Sequence, residues 1–193
     1  MIDLALALVA QRLNSHLAAR YGVQDELVSL SPLIDAEGKP TADARNRLVM
    51  FLTNIAQDTS NRSAGVSRRS AQVVQAQPIH LDIYFMLASA YDADTYAEGL
   101  KLISAALTFF QANSVLTPRN TPDMPAGLTQ LSLDIANLKV EEMSQMWGNL
   151  GGRYVPSIMF KMRSVIIDAS AVSEVVPLVT RPGQSVLPGE VAS

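Results

Sequence analysis

Histidine is the first side chain to ask about chemistry, and the chain has two, His16 and His80. His16 lies in a helical pattern with Arg20 at the i+4 position where a second ligand would stand. His80 and Asp82 fall on one face of an alternating segment and could touch. A zinc site needs three or four converging ligands, and with no cysteine in the sequence nothing supplies the rest. A helix-surface histidine and a polar strand face are the expectation, with no metal site and no cofactor. Nucleophilic catalysis needs an activated Ser, Thr, Cys or Lys beside a positioned base. Apart from Ser15, beside His16 in the first helical segment, the serines have no neighbouring histidine, and no GxSxG elbow occurs. The carboxylate pairs Asp92/Asp94 and Glu141/Glu142 stand where helices are expected to start, where the helix dipole favours negative charge. The glycines of GNLGG (148–152) follow a helical segment instead of opening one, so they read as a stop and not a phosphate cradle. No catalytic residue emerges, and the expectation is a non-enzyme.

Two other clusters invite a function. Arg62, Arg68 and Arg69 lie in SNRSAGVSRRS, which has no aromatic residue for base stacking. They suit either an ordinary solvated loop or a contact with an acidic protein surface, since arginine is enriched at interfaces. Met143, Met146 and Trp147 recur at helical spacing, which favours packing over a cofactor. The mild net charge of −3 argues against nucleic acid as partner. A hydrophobic share of 48% beside 17% charged residues provides for a packed core and hints at apolar surface buried between subunits.

These residues must be positioned by recognisable elements. Ile2, Leu6, Val9, Leu13 and Leu17 step by three and four, so they predict a helix ending at Gly22. The apolar run in MIDLALALVAQRL is too short to span a membrane and lacks a basic start, so it reads as the first helix of the fold. Val28–Ile34 predicts a short strand with a break at Pro32, and DAEGKPTAD (35–43) a surface loop. Arg47–Gln57, apolar on both alternating sets at its centre, predicts a strand covered on both faces, or on one face by another subunit. Asp58–Gln77 shows no period and predicts a long loop between strands. Ile79, Leu81, Ile83, Phe85 and Leu87 alternate with polar residues and predict a strand with one buried face. Asp92 can cap the next helix, whose expected apolar face is Tyr96, Leu100, Ile103, Leu107 and Phe110. Pro118, Pro122 and Pro125 impose an irregular connector. Strands at Leu131–Ile135 and from Ile158 to about Ile167 flank a short helix at Val140–Leu150.

Beyond Asp168 the prolines at 177, 182 and 188 exclude a helix. The expectation is one α+β domain over residues 1–168 and an extended arm over 169–193. The domain has a mainly antiparallel sheet with two long helices and one short helix on one face of it. Val176, Leu178, Val179, Val186 and Leu187 of the arm, with Arg62, Arg68 and Arg69, are the expected interface residues. An arm of this kind can add a strand to a neighbour.

Four stretches together carry a resemblance. They are LALVAQRLNSHLAARYG, PIHLDIYFMLASAYDADTYAEGLKLISAALTFFQ, VLTPRNTP and MWGNLGGRYVPSIMFKMR. As an ordered set, running from about Ile2 to Ile167, they resemble the DUF4255-type domain of cap (tail-terminator) proteins. These belong to extracellular contractile injection systems of the antifeeding-prophage and virulence-cassette class. The resemblance implies a structural subunit forming a ring, taken as a homohexamer, at the end of the particle distal to the baseplate. It implies that the ring stops inner-tube growth and anchors the last sheath ring. Its implied partners are its own copies and the tube and sheath proteins, with no nucleic acid and no membrane. The implied setting is the bacterial cytoplasm during assembly and then the assembled particle. Other readings are a tube or baseplate-adaptor subunit, and a small-molecule-binding α+β domain.

Overall fold

In a computed structural model, residues 1–58, 79–151 and 154–167 are described. Helix α1 spans Ile2–Tyr21 and buries Leu6, Val9, Leu13 and Leu17 on the expected stripe. It ends at Gly22, whose left-handed φ of 67° is costly for any residue with a Cβ. Strand β1 (Val28–Leu30) follows, then β2 (Leu48–Gln57) and β3 (Ile79–Ser89). Helix α2 spans Tyr96–Ala112, entered through a 3-10 turn at Ala93–Thr95. Strands β4 (Val115–Leu116) and β5 (Leu131–Ile135), helix α3 (Val140–Asn149) and strand β6 (Ser157–Ile167) complete the order.

Among the described residues six strands form one sheet in the order β1-β2-β3-β6-β5-β4. Only the β1–β2 pair is parallel, so the mainly antiparallel α+β expectation holds. The connection between β1 and β2 crosses the sheet on the face away from the long helices. There Leu33 and Ala44 join the second apolar cluster. Asp35 Oδ1 organises its tip, accepting the backbone N–H groups of Glu37 and Lys39.

The core is split by the sheet. On one side α1 and α2 pack against Leu48, Met50, Ile83, Phe85, Phe160 and Met162. Phe85 stacks on Phe160 with centroids 5.4 Å apart, and Phe110 of α2 sits 4.3 Å from Phe160. Such aromatic pairs add about 0.5–1.5 kcal/mol beyond their area. Gly99 lets α2 approach, because a Cβ there would stand 2.3 Å from Ser89 Oγ. On the other side Trp147 of α3 packs among Val49, Phe51, Met86, Ala88 and Met159. The expectation of all helices on one face is therefore corrected. The alternating segments of β2, β3 and β6 carry apolar residues on both faces, and a bare second face would expose them to water.

Two further expectations change. Strand β3 has both faces buried in its second half, with Met86 and Ala88 as inaccessible as Phe85 and Leu87. The buried face of α2 is Leu102, Ile103, Ala106, Phe109 and Phe110, while Tyr96 and Leu100 are exposed. A stripe begun at Tyr96 drifts off the contact line. Small residues, Gly99, Ala105 and Ala106, let α2 sit close on the sheet.

Candidate assembly surface

On the α3 side the sheet has two unlike halves. Its base, where β2 carries Val49 and Phe51, lies under α3 and the β1–β2 connection. Its tip carries charge instead. Register sets Tyr84 of β3 and Asp134 of β5 opposite Lys161 of β6, and Ser132 opposite Arg163. An irregularity between Leu81 and Ile83 interrupts the β3–β6 register at Asp82. Lys161 Nζ lies 2.7 Å from Asp82 Oδ2 and 5.6 Å from the Tyr84 ring centre. The Asp82 hydrogen bond holds the Lys161 ammonium above its usual range. Arg163 pairs with Asp134, and that bond likewise raises the guanidinium. Asp82 is 6% exposed, and its Oδ1 has no partner among the described residues. A single carboxylate held by one lysine does not make a metal-ligand set. No group of three or more ligating side chains occurs among the described residues. No described helix is long and apolar enough to cross a membrane.

The edge of the sheet beside this tip is open. Strand β1 pairs with β2 only from Leu48 to Met50, so among the described residues no strand lies beside Leu52–Gln57 on that side. Leu52 is 41% exposed and Ile55 is 43% exposed. The register shift between Leu52 and Asn54 leaves Thr53 as an extra residue. Bulges are frequent at sheet edges, which they bend. The Thr53 hydroxyl oxygen is buried without a hydrogen-bond partner among the described residues. Between this edge and α3 opens a cleft of about 450 Å³, lined by Phe51, Thr53, Tyr84, Leu138, Met146 and Leu150 among others. Other exposed apolar residues are Tyr21 at the end of α1, Val23 just after it, and Tyr96 and Leu100 on α2.

The residues singled out for chemistry take structural roles. His16 stacks near Phe109, centroids 5.2 Å apart, so it packs between α1 and α2 instead of standing free on the surface. His80 gives its carbonyl to the Asp58 N–H and does not pair with Asp82, which takes Lys161. Glu142 accepts the Lys139 backbone N–H at 2.9 Å, a helix-start role. Asp92 faces Arg45 at 3.7 Å in an exposed pair, and the turn it opens has no side-chain cap. Met143 and Met146 pack around buried Trp147. Asn14 lies off the buried stripe of α1. Its Oδ1 accepts the N–H groups of Leu27 and Val28, which pins β1 to α1. All eight expected interface residues lie outside the described residues: Arg62, Arg68, Arg69, Val176, Leu178, Val179, Val186 and Leu187.

Comparison with known proteins agrees with the resemblance seen in the sequence. The model of the Pvc16 N-terminal domain matches residues 5–181. No curated protein matches the sequence. Among solved structures, the fold is similar to the PVC sheath/tube terminator of an extracellular contractile injection system in its extended state. The TM-score is 0.54 at 16% identity, over 96% of this chain and 65% of that one. It is also similar to the anti-feeding prophage cap, described as a tube-terminating cap. There the TM-score is 0.51 at 17% identity, over 92% of this chain and 60% of the other. The chain thus spans less than two thirds of the length of either structure, and what is shared with them is the fold. Since the family model runs through nearly all of the sequence, the chain belongs to the family of Pvc16 N-terminal domains.

Proposed function

We propose that this protein is a structural cap subunit of a contractile injection system. Copies of it form a ring, taken as a hexamer, at the end distal to the baseplate. The ring terminates the inner tube and anchors the last sheath ring. The observation that carries this reading is membership of a family whose fold is shared with a sheath/tube terminator and a tube-terminating cap. The exposed apolar residues Leu52 and Ile55 on an open sheet edge support an assembly role, because an unpaired edge is a template for another chain. The absence of an enzymatic role, the division into a domain of residues 1–168 and an arm of 169–193, and the cytoplasmic site of assembly belong to the same reading. So do contacts with tube and sheath through Arg62, Arg68, Arg69 and the arm. Deleting the gene is expected to give tubes of uncontrolled length or no stable sheathed particles. Normal particles from the deletion strain would refute the reading, and immunogold label at the baseplate end would favour an adaptor.

A further inference from the structure

The open side of β2 and the end of β6 lie at the same end of the sheet. Strands β2 and β6 both run antiparallel to β3, so they point the same way. Ile167, the end of β6, pairs with Ile79, and Gln57, the end of β2, pairs with Leu81. The terminal segment therefore leaves at the tip, about 10 Å across the sheet from the edge at ~4.8 Å per strand. A segment turning back from the tip would run antiparallel to β2.

We propose that the open edge Leu52–Gln57 accepts residues 175–180 of a neighbouring copy as an added antiparallel strand, resting on the ring reading above. Four observations favour this occupant. First, the family match extends to residue 181, past the end of β6, so the segment lies within the length that the family model covers. Second, VVPLVT is apolar on both alternating faces. The edge offers apolar surface on both sides as well, Leu52 and Ile55 toward the long helices and the cleft toward α3. Third, Pro177 lacks an N–H and is tolerated only where that side of a strand faces solvent. With Val176, Leu178 and Thr180 turning their backbone groups to β2, Pro177 turns away from it, as an outermost strand requires. Fourth, the Thr53 hydroxyl at the bulge has no hydrogen-bond partner among the described residues. The stretch 168–173 extends by about 20 Å, enough to clear its own sheet. An edge on one subunit and an arm on the next is a heterologous pair, the kind that closes a ring.

The absence of cysteine makes the test direct. Single variants Leu52→Cys and Ile55→Cys are each mixed with Val175→Cys, Val176→Cys, Leu178→Cys or Val179→Cys in the full chain and oxidised. Double variants are oxidised alone, and circular dichroism checks the fold of each. The proposal expects a dimer band from at least one mixed pair and a ladder of multimers from the matching double variant on non-reducing gels. Intrachain products only, or no cross-link from any pair, would overturn it. Imaging of the unmodified protein separates the two readings. Rings without cross-links refute the strand exchange and leave the cap reading standing, whereas cross-links without rings do the reverse.

Discussion

The base and the tip of the sheet are built from the same three strands, yet they solve burial differently. At the base, β2, β3 and β6 carry apolar residues on both faces, and each face has its own cover. At the tip the long helices still bury Ile83, Met162 and Val165 on one side. The other side holds ion pairs, and the last half of β2 pairs with β3 but has no described strand on its outer side. The tip retains apolar groups and backbone donors that another chain could satisfy.

The largest expected effect lies in the base. Phe160→Ala removes the ring between Phe85 and Phe110 and should cost about 3–5 kcal/mol in urea unfolding. A loss under about 1 kcal/mol would mean that the base is no core. Trp147→Ala should follow at about 3 kcal/mol, since its indole is 3% exposed. If it proves neutral, the second cover does not hold the base.

The tip predicts a contrast between its two ion pairs. Lys161→Met strands the nearly inaccessible Asp82 carboxylate and should cost about 2–3 kcal/mol. Arg163→Met opens a pair whose partners are 47% and 49% accessible, so the expected cost is below about 1 kcal/mol. Equal costs would erase the distinction between buried and exposed pairs at the tip.

Asn14→Ala leaves two backbone N–H groups unpaired where β1 starts and should cost about 1–2 kcal/mol. Ile55→Ser tests the open edge. Monomer stability should change by less than about 0.5 kcal/mol, as for a surface site, while multimer formation measured by light scattering falls. A large loss of monomer stability would show the edge to be covered within one chain.

The smallest effect is alkaline. The pKa of Lys161 is raised from 10.5 by Asp82, and that of Tyr91 from 10.0 by burial and then by Glu98. Both groups hold their proton more tightly when folded, so their contribution is complete below about pH 10 and declines as pH rises through the folded values. Unfolding midpoints should be flat from neutral pH to about 9.5 and fall above it. A rise above pH 10 would contradict the Lys161–Asp82 pairing.

Much of this was legible in the residues. The stripe of α1, its stop at Gly22 and the alternation in β3 and β6 are local patterns, and local sterics enforce them. The family was legible in the ordered blocks between Ile2 and Ile167. Less was visible of the surface. The run LVMFLTNI shows two apolar faces throughout, but only the three-residue length of β1 tells where cover stops and exposure begins. The bond from Asn14 to residues 27 and 28 joins positions that no spacing rule connects.

By itself, then, the sequence determined the helices and the alternating strands, which rest on residue type and near spacing, and the kinship with the family of Pvc16 N-terminal domains, which rests on the ordered blocks. Only the tertiary structure decided that α3 lies across the sheet from α1 and α2, that Asp82 belongs to Lys161, and that the far half of β2 has no strand on its outer side among the described residues. Those depend on which distant segments become neighbours, and chain separation along the sequence carries no record of that distance in space.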